Sequence, residues 1–303
     1  MSIRMPSTIQ TRQMLLGLQR IQDRMATNTL RVSSGQQITN PGDDPTGAAA
    51  IVDFSSSIEA NSQFQKQADA ALSFLQSSEG VVSSVTNTVT SLQELAQQGL
   101  NGTTGPSGRA AIATQVDSIL TNLLSLANTK VQGKYLFAGR QTQTQPFSGP
   151  AAGPITYAGD GGLINLDVAV GTSVTTNLPG DALFFGTGGQ GSATDLFQAV
   201  TDLRDGLNAD NTAQIQTAYN NLKSILGTFS QAQTDLGGRQ SGLMDLQSIL
   251  SGFNLTLQGL QNKVQDTNYP ETLTQLSSDT TVQSATLSTL AKANQQSLFN
   301  YLG

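Results

Sequence analysis

"IVDFSSSIEANSQFQKQADAALSFLQSSEGVVSSVTNTV", residues 51–89, contains no proline and a single glycine. Ile51, Phe54, Ile58, Asn61, Gln65, Ala68, Leu72, Leu75, Glu79, Val82, Thr86 and Val89 follow one another at alternating spacings of three and four. That is the heptad of a helix that lays one face along a partner helix. Leu92, Leu95 and Leu100 prolong the apolar side, and the next proline is Pro106. The pattern predicts a helix over 45–100, roughly 80 Å long at about 1.5 Å per residue. Such an element belongs in a rod rather than in a compact globule.

Its start is written in "TNPGDDPTGAAA", 39–50. An acid pair invites a metal or catalytic reading, but no Asp/Glu cluster at ligand spacing follows it. Asp44 instead has the chemistry of an N-cap, with Pro45 at the first helical position, where a missing N–H costs nothing. Asp43 adds negative charge beside the positive end of the helix dipole. We therefore assign Asp43, Asp44 and Pro45 to a helix cap and hinge. Upstream, Met14, Leu18, Ile21, Met25, Asn28 and Val32 are spaced 4, 3, 4, 3, 4, a second coiled-coil seam that stops at Gly35.

Downstream, "NGTTGPSG", 101–108, is a turn, and Ile112, Val116, Ile119, Leu123 and Leu126 resume the heptad on a returning helix. Glycine and proline then become frequent. Ile164, Leu166, Val168 and Val170 alternate with Asn165, Asp167 and Ala169, the period of a half-buried strand. "YAGDGG", 157–162, is a turn signal linking it to a preceding strand at 155–157. Helical spacing returns with Leu196, Val200, Leu203 and Leu207. A long seam follows through Ile215, Tyr219, Leu222, Leu226, Phe229 and Leu236. It continues in Leu243, Leu246, Leu250, Phe253, Leu257, Leu260 and Val264, with a phase slip at Gly237–Gly238. "DTNYP", 266–270, breaks the helix, and Leu273, Leu276, Leu287 and Leu290 share one phase in a final helix.

The expected fold is mainly α: a long coiled-coil-like helical rod formed by the N- and C-terminal segments, with a small β-rich domain inserted in the middle. The expected divisions are an assembly helix at 1–40, rod at 41–133, β-rich outer domain at 134–192, rod at 193–267, and a second assembly helix at 268–303. The two terminal helices match in style and are expected to pair. Met14, Leu18, Ile21, Met25, Leu273, Leu276, Leu287, Leu290 and Leu298 are the candidate assembly residues.

Composition narrows function. Charged residues are 12% of the 303, and the polar surface is carried by amides and hydroxyls, which suit packing against other protein. A formal charge of −6 with 15 scattered Lys and Arg argues against nucleic acid, which needs a basic stripe. Cysteine and histidine are absent, which removes thiol nucleophiles, the usual zinc sites and His-based acid–base schemes. Nowhere do 18 consecutive apolar residues occur, so no membrane partner is expected. The N-terminus has no h-region, so export without a cleaved signal peptide is expected. "GTGGQG", 186–191, lacks the Gly-Lys-Ser/Thr ending of a phosphate loop and is read as the approach to a cap at Asp195. Arg109 and Arg140 flank polar loops and are read as solvated or interfacial. No enzyme, cofactor or metal site is expected.

"LRVSSGQQITNPGDDPTGAAA", 30–50, resembles the N-terminal signature of the flagellin superfamily through Ser33, Ser34, Gly35, Ile38, Asn40, Asp43, Asp44, Pro45 and Gly47. Filament flagellins usually carry alanine where Pro45 stands, so "GDDP" favours the hook–filament junction branch. "GKYLFAG", 133–139, "PITYAGDGG", 154–162, "DTNYPETLTQL", 266–276, and "LAKANQQSLFNYL", 290–302, are similar to that branch's domain entry and C-terminal region. The resemblance implies a structural subunit of the bacterial flagellum, exported by the flagellar type III apparatus. It would form a homo-oligomeric junction ring with another hook-associated protein on the hook side and flagellin beyond. An export chaperone at the C-terminal helix is also implied. A filament flagellin is the nearest alternative, and a secreted type III translocator or tip protein a more distant one. "QELAQQGLNGTTGPSGRAAI", 93–112, resembles the flagellin stretch read by an innate immune receptor, except that Gln93 replaces the usual arginine.

Overall fold

The computed structural model describes residues 7–150 and 153–302, with side chains placed at Ile9 and over 12–150 and 153–292. Helices dominate: α1 (Ser7–Ser34), α2 (Pro45–Leu100), α3 (Pro106–Ala127), α4 (Leu196–Asn208), α5 (Thr212–Gln265) and α6 (Tyr269–Leu302). Between α3 and α4 stand short strands β1 (Lys130–Val131), β2 (Lys134–Tyr135), β3 (Phe147–Ser148), β4 (Thr156–Tyr157), β5 (Asn165–Ala169) and β6 (Thr172–Thr175), then a π-helical turn, Asp181–Phe185. The chain is thus mainly α with a small β-rich insertion. It forms two compact units: a terminal unit of Met1–Ala60 with Gly252–Gly303, and a central unit of Asn61–Ser251.

In the central unit, α2 turns one continuous stripe inward: Ala68, Ala71, Leu75, Ser78, Val82, Val85, Val89, Leu92 and Ala96, all nearly sealed from solvent. The spacing is the expected 3 and 4, but every second position lies one residue earlier than predicted. Ala71, Ser78 and Val85 are buried, whereas Leu72, Glu79 and Thr86 are only partly covered. Ser78 satisfies its hydroxyl on the Phe74 carbonyl at 2.9 Å. From α3, Ile112, Val116, Leu120, Leu123 and Ala127 join the same core.

The seam of α5 has no phase slip. Phe229, Leu236, Leu243, Leu250 and Leu257 are buried at steps of seven, straight past Gly237–Gly238. The sequence reading misplaced the accompanying position. Ahead of Leu236 the second buried row is Ala218, Ile225 and Ala232; beyond it Phe253 and Leu260 are exposed. Neither glycine's missing Cβ has a neighbour within 4 Å, so both continue a helix in open space.

The insertion consists of three two-stranded antiparallel ladders, β1–β2, β3–β4 and β5–β6. The strand around Thr156–Tyr157 therefore pairs backward with β3, not forward across "YAGDGG" with β5. Polar ties explain this. Asp160 Oδ1 accepts the N–H of Arg140 at 2.6 Å and that of Gly162 at 3.1 Å, and Asn177 holds Ile164 N and Gly162 O. The segment is thereby held open as a loop. Gly171, at φ +75°, instead supplies the tight reversal between β5 and β6.

Aromatic rings lock the insertion to the helices. Phe184 stacks on Phe197 at 5.7 Å between centroids and meets Phe137, Phe147 and Phe229 edge-on at 5.3, 5.0 and 5.6 Å. The π-helical turn buries Leu183, Phe184 and Phe185 in succession. Asp195 caps α4, accepting Phe197 N, Gln198 N and Gly191 N at 2.9, 3.2 and 2.7 Å. Burial pushes its carboxyl above the usual range, against those three donors.

Candidate assembly interface

At the start of α2 the two acids divide their work. Asp44 Oδ1 accepts Thr46 N at 3.1 Å and Gly47 N at 3.0 Å, the two N–H groups that a helix beginning at Pro45 leaves without carbonyls. A Cβ added at Gly47 would lie 2.5 Å from both Asp44 Oδ2 and Ile38 Cδ1, so those side-chain ends would have to shift. Asp43 turns the other way. Its Oδ2 accepts Asn40 N at 3.0 Å and the Thr39 hydroxyl at 3.1 Å, closing the preceding loop. The Asn40 N–H, followed by the Thr39 hydroxyl, holds its carboxyl below the ordinary carboxylate range.

Helices α1 and α6 run antiparallel, side by side. Their linkers are clasped where Gln37 N donates to Gln265 O at 2.7 Å and Thr267 N to Gly35 O at 2.9 Å. Gly35, at φ +75°, ends α1, and a Cβ there would meet the Tyr269 hydroxyl at 2.9 Å. On α1, Ile21 is buried and Met14, Leu18 and Met25 are half-buried. On α6, the side chains withdrawn from solvent are Thr272, Leu276, Asp279, Gln283, Thr286 and Leu290.

Leu276 and Leu290 thus face α1, but Leu273 and Leu287 do not: they are 49% and 50% exposed. The covered phase sits one residue earlier at alternate positions. Polar residues tolerate it because they are satisfied locally, Thr272 on Asn268 O at 2.9 Å and Thr286 on Val282 O at 2.7 Å. Leu298 lies outside the described side chains. Two contributors went unforeseen. Asp279, buried in the seam, receives Arg24 Nη2 on Oδ1 at 2.7 Å, while its Oδ2 has no partner among the described residues. The detectable signal was an acid one helical turn from Leu276 and Gln283 on an otherwise neutral face.

The uncovered faces carry apolar residues among polar ones. Ile9, Leu15, Leu16 and Leu30 on α1, and Leu273, Val282 and Leu287 on α6, are each at least two-fifths exposed. Within the same unit so are Val52 on α2 and Phe253, Leu255 and Leu260 on α5. An amphipathic helix with apolar residues on more than one side can pack against more than one neighbour.

Arg109 proves to be neither solvated nor interfacial. It is buried, its Nε donating to Gly99 O at 2.7 Å and its Nη1 pairing with Asp210, so it fastens the α2–α3 turn to the α4–α5 turn. Arg140 remains exposed, as expected, while its Nε donates to Leu163 O at 3.1 Å. Tyr157, whose hydroxyl donates toward Phe137 O at 2.8 Å, has its phenol pushed up to about 12 by burial and by the nearby Asp181 carboxylate.

Residues 7–142 match the bacterial flagellin N-terminal helical region. The flagellar hook-associated protein 3 of Escherichia coli K12 is 30% identical over 239 residues, covering 72% of this chain and 74% of that protein. Among solved structures, a putative flagellar hook-associated protein from Vibrio parahaemolyticus superposes with TM-score 0.68 at 20% identity, over 74% of this chain and all of the other. The flagellar junction protein FlgL from Legionella pneumophila superposes with TM-score 0.60 at 20% identity, over 71% of this chain and 99% of its own.

Proposed function

The chain belongs to the flagellin family, in the branch of flagellar hook-associated protein 3, and we propose that it is the structural subunit of the ring joining hook to filament in a bacterial flagellum. The 30% identity to the Escherichia coli protein, spread over 239 residues, carries this reading. The ring is built from copies of this chain, with another hook-associated protein on the hook side and flagellin on the other. The subunit acts outside the cell after export by the flagellar type III route, with a chaperone holding its C-terminal helix beforehand.

Assembly rests on the terminal unit. Met14, Leu18, Ile21, Met25, Leu273, Leu276, Leu287, Leu290 and Leu298 pack within and between subunits, and the segment 134–192 faces outward. Ordering backbone costs about 1–2 kcal/mol per residue. Burial of the exposed rows against neighbouring copies offsets it at about 25 cal/mol per Å² of apolar surface. The uncovered leucines of α1 and α6 support this account. Deleting the gene tests the function: hooks should persist while filament protein is shed into the medium. Normal filaments on the deletion strain would overturn the proposal.

A further inference from the structure

The turn between α2 and α3 contains Asn101–Gly102, the one Asn-Gly step in the sequence. Both residues are exposed, and an added Cβ on Gly102 would meet nothing within 4 Å. The Asn101 side chain is folded forward over the following peptide, because its Oδ1 accepts Thr103 N at 3.2 Å and the Thr103 hydroxyl at 3.0 Å. This is an Asx turn, and it brings the side-chain carbonyl carbon to the Gly102 side of the chain. The backbone is held in the same sense by Thr104 N on Asn101 O at 3.0 Å and the Thr104 hydroxyl on Gln98 O at 2.8 Å.

We propose that Asn101 is a site of spontaneous self-modification, in which the folded turn converts asparagine to aspartate and isoaspartate. The Gly102 backbone nitrogen gives its proton to water and attacks Cγ of Asn101. The new N–Cγ bond forms, the Cγ–Nδ2 bond breaks, and ammonia departs with a proton from solvent. Water then opens the resulting cyclic imide at either carbonyl, so the net reaction consumes one water and releases one ammonia, with no change of oxidation state. Glycine is the residue whose peptide nitrogen is least shielded by its own side chain. The two donors from Thr103 polarise the amide carbonyl and stabilise the oxyanion that develops on Oδ1, in the manner of an oxyanion hole.

The two products differ in consequence. Both make the chain one unit more negative than its formal −6, but aspartate keeps the Thr103 hydrogen bonds. Isoaspartate inserts a methylene into the main chain and breaks the register of the Thr104–Asn101 hydrogen bond. That change falls beside Gly99, whose carbonyl Arg109 grips.

The test is incubation of the full-length protein at mildly alkaline pH, folded and in urea. Peptide mass spectrometry, isoaspartyl methylation and ammonia release follow the reaction. Asn101 should convert in the folded protein at least as fast as in the unfolded chain and ahead of every other asparagine. Thr103→Val should slow conversion severalfold in the folded protein only, and Gly102→Ala should slow it in both states. Asn101→Gln should abolish the acidic species. Folded conversion slower than unfolded, or a Thr103→Val rate equal to the parent's, would overturn the proposal.

Discussion

The central and terminal units are written in the same heptad alphabet yet differ in how far they complete it. In the central unit the apolar stripe of α2 is sealed from solvent, and side chains such as Leu75, Val89, Leu92 and Phe229 have no exposed surface. In the terminal unit Ile21, Leu257 and Leu290 are the buried hydrophobics among the described residues, while leucines line the outside of α1 and α6. Periodicity specifies that a face exists; the number of helices available decides whether it is covered. The central unit encloses a continuous core, whereas the terminal unit buries few of its apolar side chains.

That contrast can be broken at either end. The largest effect is expected from Leu18→Asp or Leu287→Asp. Each should abolish assembly in sedimentation while the thermal transition of the central unit stays put; assembly at the parental level would remove terminal packing from the account. Phe197→Ala should act in reverse, destabilising the central unit by about 3–5 kcal/mol in urea denaturation. Loss of an aromatic that touches Phe147, Phe184 and Phe185 should leave a cavity that this tight cluster fills poorly. Asp44→Ala is expected to cost about 0.5–2 kcal/mol, read as faster hydrogen exchange at Thr46 and Gly47. Unchanged exchange there would mean the cap contributes nothing.

The smallest effect is absent at neutral pH. Tyr157 is an acid whose folded value, about 12, lies above its ordinary 10.0, so folding favours the neutral phenol. Its stabilisation is complete below 10 and is lost as pH rises through about 12. Tyr157→Phe should remove the late-titrating phenolate absorbance and lessen the alkaline sensitivity of the central unit, with no counterpart in the terminal unit.

Much of the helical layout was legible because its punctuation is local. Asp44–Pro45 and "NGTTGP" bound α2 at Pro45 and Leu100, and Gly35 ends the first helix within a residue of α1. Fine rotation was not legible. Ala71 and Ser78 are poor hydrophobes, and that they are buried is tertiary information. Strand pairing failed for a similar reason: Asp160 and Asn177 bind residues distant in sequence and pre-empt the nearby turn signal. On α6, leucine content pointed to Leu273 and Leu287, whereas the covered seam runs through self-satisfied threonines and the Arg24–Asp279 pair.

The clasp of Gly35 and Gln37 on Gln265 and Thr267 has a consequence for the order of folding. It shuts about three quarters of the polypeptide into a noncovalent circle. Closure entropy rises only with the logarithm of contour length, about 0.6 kcal/mol per doubling. Even that overstates the cost once α2 and α5 are zipped, because Asp69 already receives Gln247 Nε2 at 2.6 Å and the circumference left to close is short. On that ground the clasp is expected to form late, and hydrogen exchange at Gln37 and Thr267 checks it.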